Sequence, residues 1–237
     1  MADNSKREKV YHVFQEISCS YDKANERISL GWEGRWKKEL VQEVSAKTAQ
    51  GASVLDVCCG TGDIAVALAQ SRSTIHVVGL DFSPAMLEAA NKKSRHLANV
   101  SWQLGDAMQL PFADNTFAAA CISFGLRNTA DYLKVLQEMR RVVKPGGWVY
   151  CLDSFVPDSP WIRPFYALYF RGIMPILGGG FHHRKEYVWL WQSTKEFLRK
   201  KELLNLFGKA GLVERALKSY MFGACVLHKG RKPIGDR

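Results

Sequence analysis

Val54-Leu55-Asp56-Val57-Cys58-Cys59-Gly60-Thr61-Gly62-Asp63 reads as an apolar strand running into a glycine-rich loop, and Ile64 to Gln70 behind it has the composition of a helix. Gly60 and Gly62 permit backbone conformations and a close approach that a Cβ forbids, as a loop cradling a nucleotide-type cofactor requires. Asp81, nineteen residues past Gly62, ends a second strand over His76 to Leu80, where a carboxylate can hold two ribose hydroxyls. A dinucleotide-binding loop would carry a third glycine near position 65, but Ala65 stands there, and Asp63 places a negative charge where a pyrophosphate would approach. An acidic loop end suits a cofactor with no phosphate and a positive charge. S-adenosylmethionine, with its sulfonium and ammonium groups, fits.

Outward from this loop the chain alternates short strands and helices. Strands are predicted at Val54 to Val57, His76 to Leu80, Val100 to Leu104, Phe117 to Ser123 and Trp148 to Leu152, with helices at Ile64 to Gln70, Pro84 to Leu97 and Tyr132 to Val143. Such alternation implies an α/β fold with a mostly parallel sheet covered on both faces. Ser83 is a helix N-cap with Pro84 in the first turn, and Lys144-Pro145-Gly146-Gly147 stops the helix before it. Residues 8–18 and 34–47 carry apolar positions at helical spacing, an N-terminal helical preface over residues 1–50 ahead of a cofactor-binding core at 51–154. After Glu196 a helix runs to Ala210, Gly211 stops it, and two β-rich segments follow at Val213 to Ser219 and Phe222 to Leu227.

Residues 155–195 form an insertion rich in aromatics: Phe155, Trp161, Phe165, Tyr166, Tyr169, Phe170, Phe181, Tyr187, Trp189 and Trp191. Trp161, Phe165 and Tyr169 recur every four residues, which on a helix makes one face. Part of this stripe packs onto the sheet; the remainder suits an apolar lid over a hydrophobic substrate, with Trp161 and Tyr169 as contacts.

A length of 237 residues suits one domain with a full core, and 47% hydrophobic with 24% charged residues excludes disorder for the bulk of the chain. The opening MADNSKREK lacks the apolar core and cleavage site of a secretory signal, and no uncharged apolar run reaches the ~18 residues of a membrane span, so a cytoplasmic protein is expected. Six cysteines without CxxC spacing argue against zinc ribbons and cluster chemistry; they are expected to be reduced and buried, and no metal is expected. The net charge of +10 admits nucleic acid, an anionic membrane surface, or simple solubility, since its basic clusters are scattered. A homodimer is admissible.

Two further segments carry candidate chemistry. Gly105-Asp106-Ala107 closes the third strand, where a carboxylate can accept from an adenine amine while the Ala107 amide donates to a ring nitrogen. Ser123-Phe124-Gly125-Leu126-Arg127-Asn128 ends the fourth strand at the sheet's carboxyl edge, where open α/β folds bind ligands, so Arg127 and Asn128 are expected to face the cofactor's methyl. The competing expectation is a surface Arg127 paired with Asp131.

VLDVCCGTGD, GLDFSPAML, GDAMQLPFADNTF, ISFGLRN and RRVVKPGG, in this order and spacing, resemble the C-methyltransferases of ubiquinone and menaquinone biosynthesis. Tyr21-Asp22, Asn25, Ser29 and Trp36 match that family's N-terminal signature, and FGACVLHKG from Phe222 its carboxyl end. The chain departs at Ala24, where the family usually has Met, and at Glu33, where it has His. It departs again at Leu152-Asp153-Ser154-Phe155, in place of Leu-Glu-Phe-Ser, and in a lid reading FHHRKEYVWLWQST in place of an acidic stretch.

The resemblance implies the class I S-adenosylmethionine-dependent methyltransferase fold, a Rossmann-like, mostly parallel seven-stranded sheet whose last strand is antiparallel. It implies cofactor contacts at Gly60, Thr61, Asp81, Asp106, Ala107 and Ser123, catalytic roles for Arg127 and Asn128, and acceptor contacts at Tyr21 and Asp22. The acceptor implied is a polyprenylated quinol, most closely demethylmenaquinol, met at a membrane surface; the prenyl length and the choice between naphthoquinol and benzoquinol stay open. His182 and His183 are expected to be exposed lid residues. Another apolar acceptor such as a polyketide is the alternative, and a nucleic-acid role is disfavoured because the Asn/Asp-Pro-Pro-Tyr tetrad and a Pro-Cys nucleophile are missing.

Overall fold

The computed structural model describes residues 31–169 and 191–235. Its centre is one seven-stranded sheet built from β1 (Ser53–Val57), β2 (His76–Asp81), β3 (Val100–Leu104), β4 (Phe117–Ser123), β5 (Val143–Ser154), β6 (Val213–Tyr220) and β7 (Cys225–Arg231). The spatial order is β3-β2-β1-β4-β5-β7-β6, with the first five strands parallel and β7 antiparallel to both neighbours. The chain steps outward from β1 to β3, then returns to β4 on the other side of β1. Val57 consequently lies opposite both Leu80 and Ile122. A reversal of this kind leaves a crevice at the carboxyl ends of the strands, and the glycine loop opens onto it.

Alternation along β1 explains the two layers of core. Val54 joins an apolar cluster with Leu40, Val44, Ile64 and Leu68, under α1 (Trp32–Lys47) and α2 (Asp63–Ser71). Leu55 and Val57 point the other way, to Leu136, Met139 and Phe207 of α4 (Tyr132–Val142) and the C-terminal helix Lys200–Lys209. With both faces covered, central strands need apolar residues at nearly every position. The edge strand β6 instead carries Glu214, Arg215 and Lys218, charges that discourage pairing with another chain. Ser83 accepts from Met86 N and Pro84 opens α3 (Pro84–Ser94), as the sequence predicts.

Beyond shifts of one to three residues at helix ends, such as Ser94 in place of Leu97, three segments differ from expectation. The helix α4 passes directly into β5 at Val143, and Lys144-Pro145-Gly146-Gly147 belongs to the strand rather than to a loop. Gly146 N donates to Lys232 O, and Lys232 N donates to Gly147 O, so the segment after β7 holds these residues extended. At the other end, β7 begins at Cys225, because Met221–Gly223 is a 3-10 turn with Phe222 at φ 57° and Gly223 at φ 93°. The expected aromatic helix is the third. α5 (Arg163–Leu168) has six residues, Trp161 precedes it, and Trp161, Phe165 and Leu168 are all exposed. Tyr166, by contrast, packs near Trp191 with ring centroids 6.1 Å apart. The preface helix at 8–18 and most of the aromatic insertion lie outside the described residues, and the C-terminal helix is hereafter α6. Cys121, Cys151 and Cys225 are buried free thiols; Cys58 and Cys59 are half-buried in the loop.

Candidate cofactor and acceptor site

The loop after β1 is shaped by its left-handed residues. Cys58 (φ 53°), Gly60 (φ 54°) and Gly62 (φ 82°) turn the chain sharply, and Gly62 N donates to Cys59 O. A Cβ on Gly62 would run into the Trp102 ring, so this glycine lets the loop pack on β3, whereas a Cβ on Gly60 would enter open space. Cys58 and Phe124 (φ 55°) are non-glycine residues in a costly conformation, and both sit at strand ends lining the cavity, where strain of this kind concentrates.

Asp81 ties this loop to the second crossover. Gly60 N donates to its Oδ2 and Ser83 N to its Oδ1, each at 2.9 Å. Burial pushes the carboxyl above its ordinary value, while these amide donors pull it back. Asp81 thus holds the loop and lines the cavity.

That cavity is open to solvent and lined mostly by apolar groups with a few convergent polar ones, as small-molecule sites are. It brings together the predicted Gly60, Asp81, Asp106, Ala107, Ser123 and Asn128. Leu80, Phe82, Met86 and Met108, which no motif singled out, supply apolar walls. Asp106 Oδ1 accepts from Met108 N at 2.9 Å. Two buried oxygens here, Ser123 Oγ and Asn128 Oδ1, have no hydrogen-bond partner among the described residues. Buried polar atoms in native proteins are nearly always satisfied, so such a pair in a cavity wall fits a polar ligand, as does the clear space before Gly60.

Thr61 lines an adjoining pocket with Glu33, Lys37, Asp56 and Asp63. Asp63 does not carry the free negative charge that its place at the loop end suggests. Asp63 is paired with Lys37 at 2.9 Å and with Lys93, and these cations outweigh burial and hold its carboxyl below the ordinary value. Its charge is therefore already balanced and does not select a cationic ligand. Asp56 behaves oppositely. Burial pushes it up to about 7 despite donation from the Cys121 thiol and from Ala65 N at 3.1 Å.

Neither expectation for Arg127 describes its surroundings. The side chain is 5% exposed and forms an ion pair with the fully buried Asp153, while Asp131 caps α4 by accepting from Lys134 N. Arg127 stands behind Phe124, its Cζ 5.8 Å from the ring centroid, and Asn128 is the residue of the 3-10 turn Leu126–Asn128 that lines the cavity. Trp161 and Tyr169 line neither pocket. Tyr21, Asp22, His182 and His183 lie outside the described residues.

The chain is similar to known proteins in sequence and in fold. The model of the ubiE/COQ5 methyltransferase family matches residues 2–232. Demethylmenaquinone methyltransferase of Staphylococcus aureus (strain JH9) is 45% identical over 235 residues, covering 98% of this chain and 97% of the relative. Among solved structures, a SAM-dependent methyltransferase from Thermotoga maritima superposes with a TM-score of 0.65 at 22% identity, covering 94% of this chain and 99% of that one. Phosphoethanolamine N-methyltransferase 2 of Haemonchus contortus in complex with S-adenosyl-L-methionine gives 0.67 at 17% identity, covering 93% and 60%. The structures establish the fold as that of class I methyltransferases, and the sequence match is of full length. With the glycine loop, the strand-end acids and the SFGLRN turn all drawn to one cavity, the chain belongs to the ubiE/COQ5 methyltransferase family.

Proposed function

We propose that this protein methylates a ring carbon of demethylmenaquinol, a polyprenylated quinol, with S-adenosylmethionine as methyl donor. The observation that carries this reading is the pair of oxygens, Ser123 Oγ and Asn128 Oδ1, left without a partner among the described residues in the wall of a cavity that also holds Asp81 and Asp106, in a chain 45% identical to demethylmenaquinone methyltransferases. When bound, S-adenosylmethionine supplies an electrophilic methyl on a positively charged sulfur.

The chain's residues divide the work. Asp81 accepts from the ribose hydroxyls. Asp106 and the Ala107 amide read the adenine edge, with Leu80, Phe82, Met86 and Met108 around its faces. Thr61 and the paired charges of Lys37 and Asp63 receive the amino-acid end. A quinone ring is electrophilic and does not attack a methyl donor, so the acceptor is the quinol, whose loss of a phenolic proton makes the adjacent ring carbon nucleophilic. Arg127 is no base, since guanidinium pKa values exceed ~12. Behind the wall and paired with Asp153, it holds the turn from which Asn128 orients the phenol.

Because the acceptor's tail partitions into lipid, we place the enzyme in the cytoplasm at the inner face of the membrane, with the exposed Trp161, Phe165 and Leu168 towards that surface. Among the described residues no helix is long and apolar enough to cross a membrane. Mass analysis of quinones from cells lacking the protein tests the assignment. Accumulation of a quinone one methyl lighter is expected, and an unchanged quinone profile would contradict it.

A further inference from the structure

At the carboxyl ends of β4 and β5 two opposite charges are shut away from water together, Arg127 at 5% exposure and Asp153 at none. Asp153 grips residue 127 twice. Its Oδ1 accepts from Arg127 Nη1, and its Oδ2 accepts from Arg127 N at 3.3 Å. Ser154 N, donating to Oδ1 at 2.8 Å, fixes the carboxylate in turn. The backbone hold anchors the turn that carries Asn128, whose own N donates to Gly125 O at 3.0 Å. The guanidinium hold keeps the cation directly behind the wall of Ser123, Phe124, Gly125 and Asn128.

A buried ion pair is weak evidence for stability, because packed apolar residues commonly replace one without loss. Its position matters more. Charges buried behind a cavity wall are poorly screened, so an uncompensated arginine there would repel any cation in the cavity. The donor in the reaction proposed above is such a cation, and its demethylated product is not, since the sulfur loses its charge with the methyl.

We propose that Asp153 is the charge-compensating and positioning residue of the site: it offsets the Arg127 charge so that the cavity accepts a sulfonium, and it holds the turn that carries Asn128. This rests on the S-adenosylmethionine reading. Asp153 does not line the cavity and acts through Arg127 and Asn128.

The property to measure is the ratio of affinities for S-adenosylmethionine and S-adenosylhomocysteine, by calorimetry on the full chain. Asp153→Asn is expected to weaken S-adenosylmethionine by ~10-fold relative to S-adenosylhomocysteine, because an uncancelled buried cation acts on the charged sulfur alone. Asp153→Glu should keep the parent ratio, and Asp153→Asn combined with Arg127→Met should restore it. A structural role would lower both affinities in step and leave the ratio alone, which would overturn the proposal. Should Asp153→Asn fail to fold, Arg127→Met leaves the acid uncompensated and must move the ratio the other way, towards S-adenosylmethionine; an unmoved ratio there is equally fatal. If the parent binds neither ligand, the cofactor reading itself falls, an outcome distinct from a parent that binds both with a ratio no variant alters.

Discussion

The two ends of the cavity satisfy their polar groups in different ways. Over β1–β3, Asp81 and Asp106 are held by backbone amides of Gly60, Ser83 and Met108 and still line the cavity. Over β4–β5, Arg127 and Asp153 hold each other behind its wall. Amide donors leave a carboxylate its negative charge for a ligand, whereas an ion pair cancels it. The first end therefore keeps its charge at the cavity, while the second, its charges offset, holds the turn that carries Asn128, and substitutions at the two ends should fail in different ways.

The largest effect is expected at the β4–β5 end. Arg127→Ala strands a buried carboxylate and should cost about 3–5 kcal/mol of folding stability, the range for breaking a buried pair. It should also lower kcat and kcat/KM together by ~10²-fold or more. Arg127→Lys should recover most of the stability but only part of the rate, since a point charge does not copy the planar fork. A thermal melt beside quinol methylation kinetics reads both, and a near-normal kcat in folded Arg127→Ala would remove this residue from the chemistry.

At the opposite end, Asp81→Ala should weaken S-adenosylmethionine by about 1.5–3 kcal/mol, the range for hydrogen bonds involving a charged partner. The same change frees the Gly60 amide, so proteolysis of the loop should quicken. Unchanged affinity by calorimetry would erase the distinction between the two ends.

Asp56 sharpens the comparison through pH. Burial raises its carboxyl from 3.8 to about 7, so the protonated form is the one the fold favours. Its contribution to stability is present in full below the unfolded value and is lost as pH rises through about 7. Asp56→Asn should flatten the fall in melting temperature over that window, and an identical pH profile in the variant would show that the group titrates elsewhere. The smallest effect belongs to Lys93→Met, which removes one of two cations from the half-exposed Asp63. A stability loss below ~1 kcal/mol is expected, with cofactor affinity within about twofold of the parent.

What the sequence discloses follows the same division. Strand periodicity, the glycines and the Ser83-Pro84 cap depend on near neighbours, and they placed β1–β4, α2 and α3 and gathered Asp81, Asp106 and Ser123 at one sheet edge. Pairing across strands is invisible in one dimension. Arg127 and Asp131 are close in the chain, yet the partner is Asp153 on the adjoining strand, brought there by the register of Ser123 with Leu152. Asp63 misled for the same reason, since Lys37 and Lys93 reach it from two separate helices. The inference to a cationic cofactor thus began from a carboxylate that is already neutralised. The Lys144–Gly147 segment and the Phe222 turn failed for a related cause, because the bonds from Lys232 and the three left-handed residues from Met221 to Gly223 decide those boundaries.

Carbon methylation of a quinol is tested by transfer by the purified protein from methyl-labelled S-adenosylmethionine to chemically reduced demethylmenaquinone. Label is expected on the ring carbon, with one S-adenosylhomocysteine formed per methyl transferred and no product from the oxidised quinone. Label on a phenolic oxygen, or no transfer to the quinol by protein that binds S-adenosylhomocysteine, would contradict it.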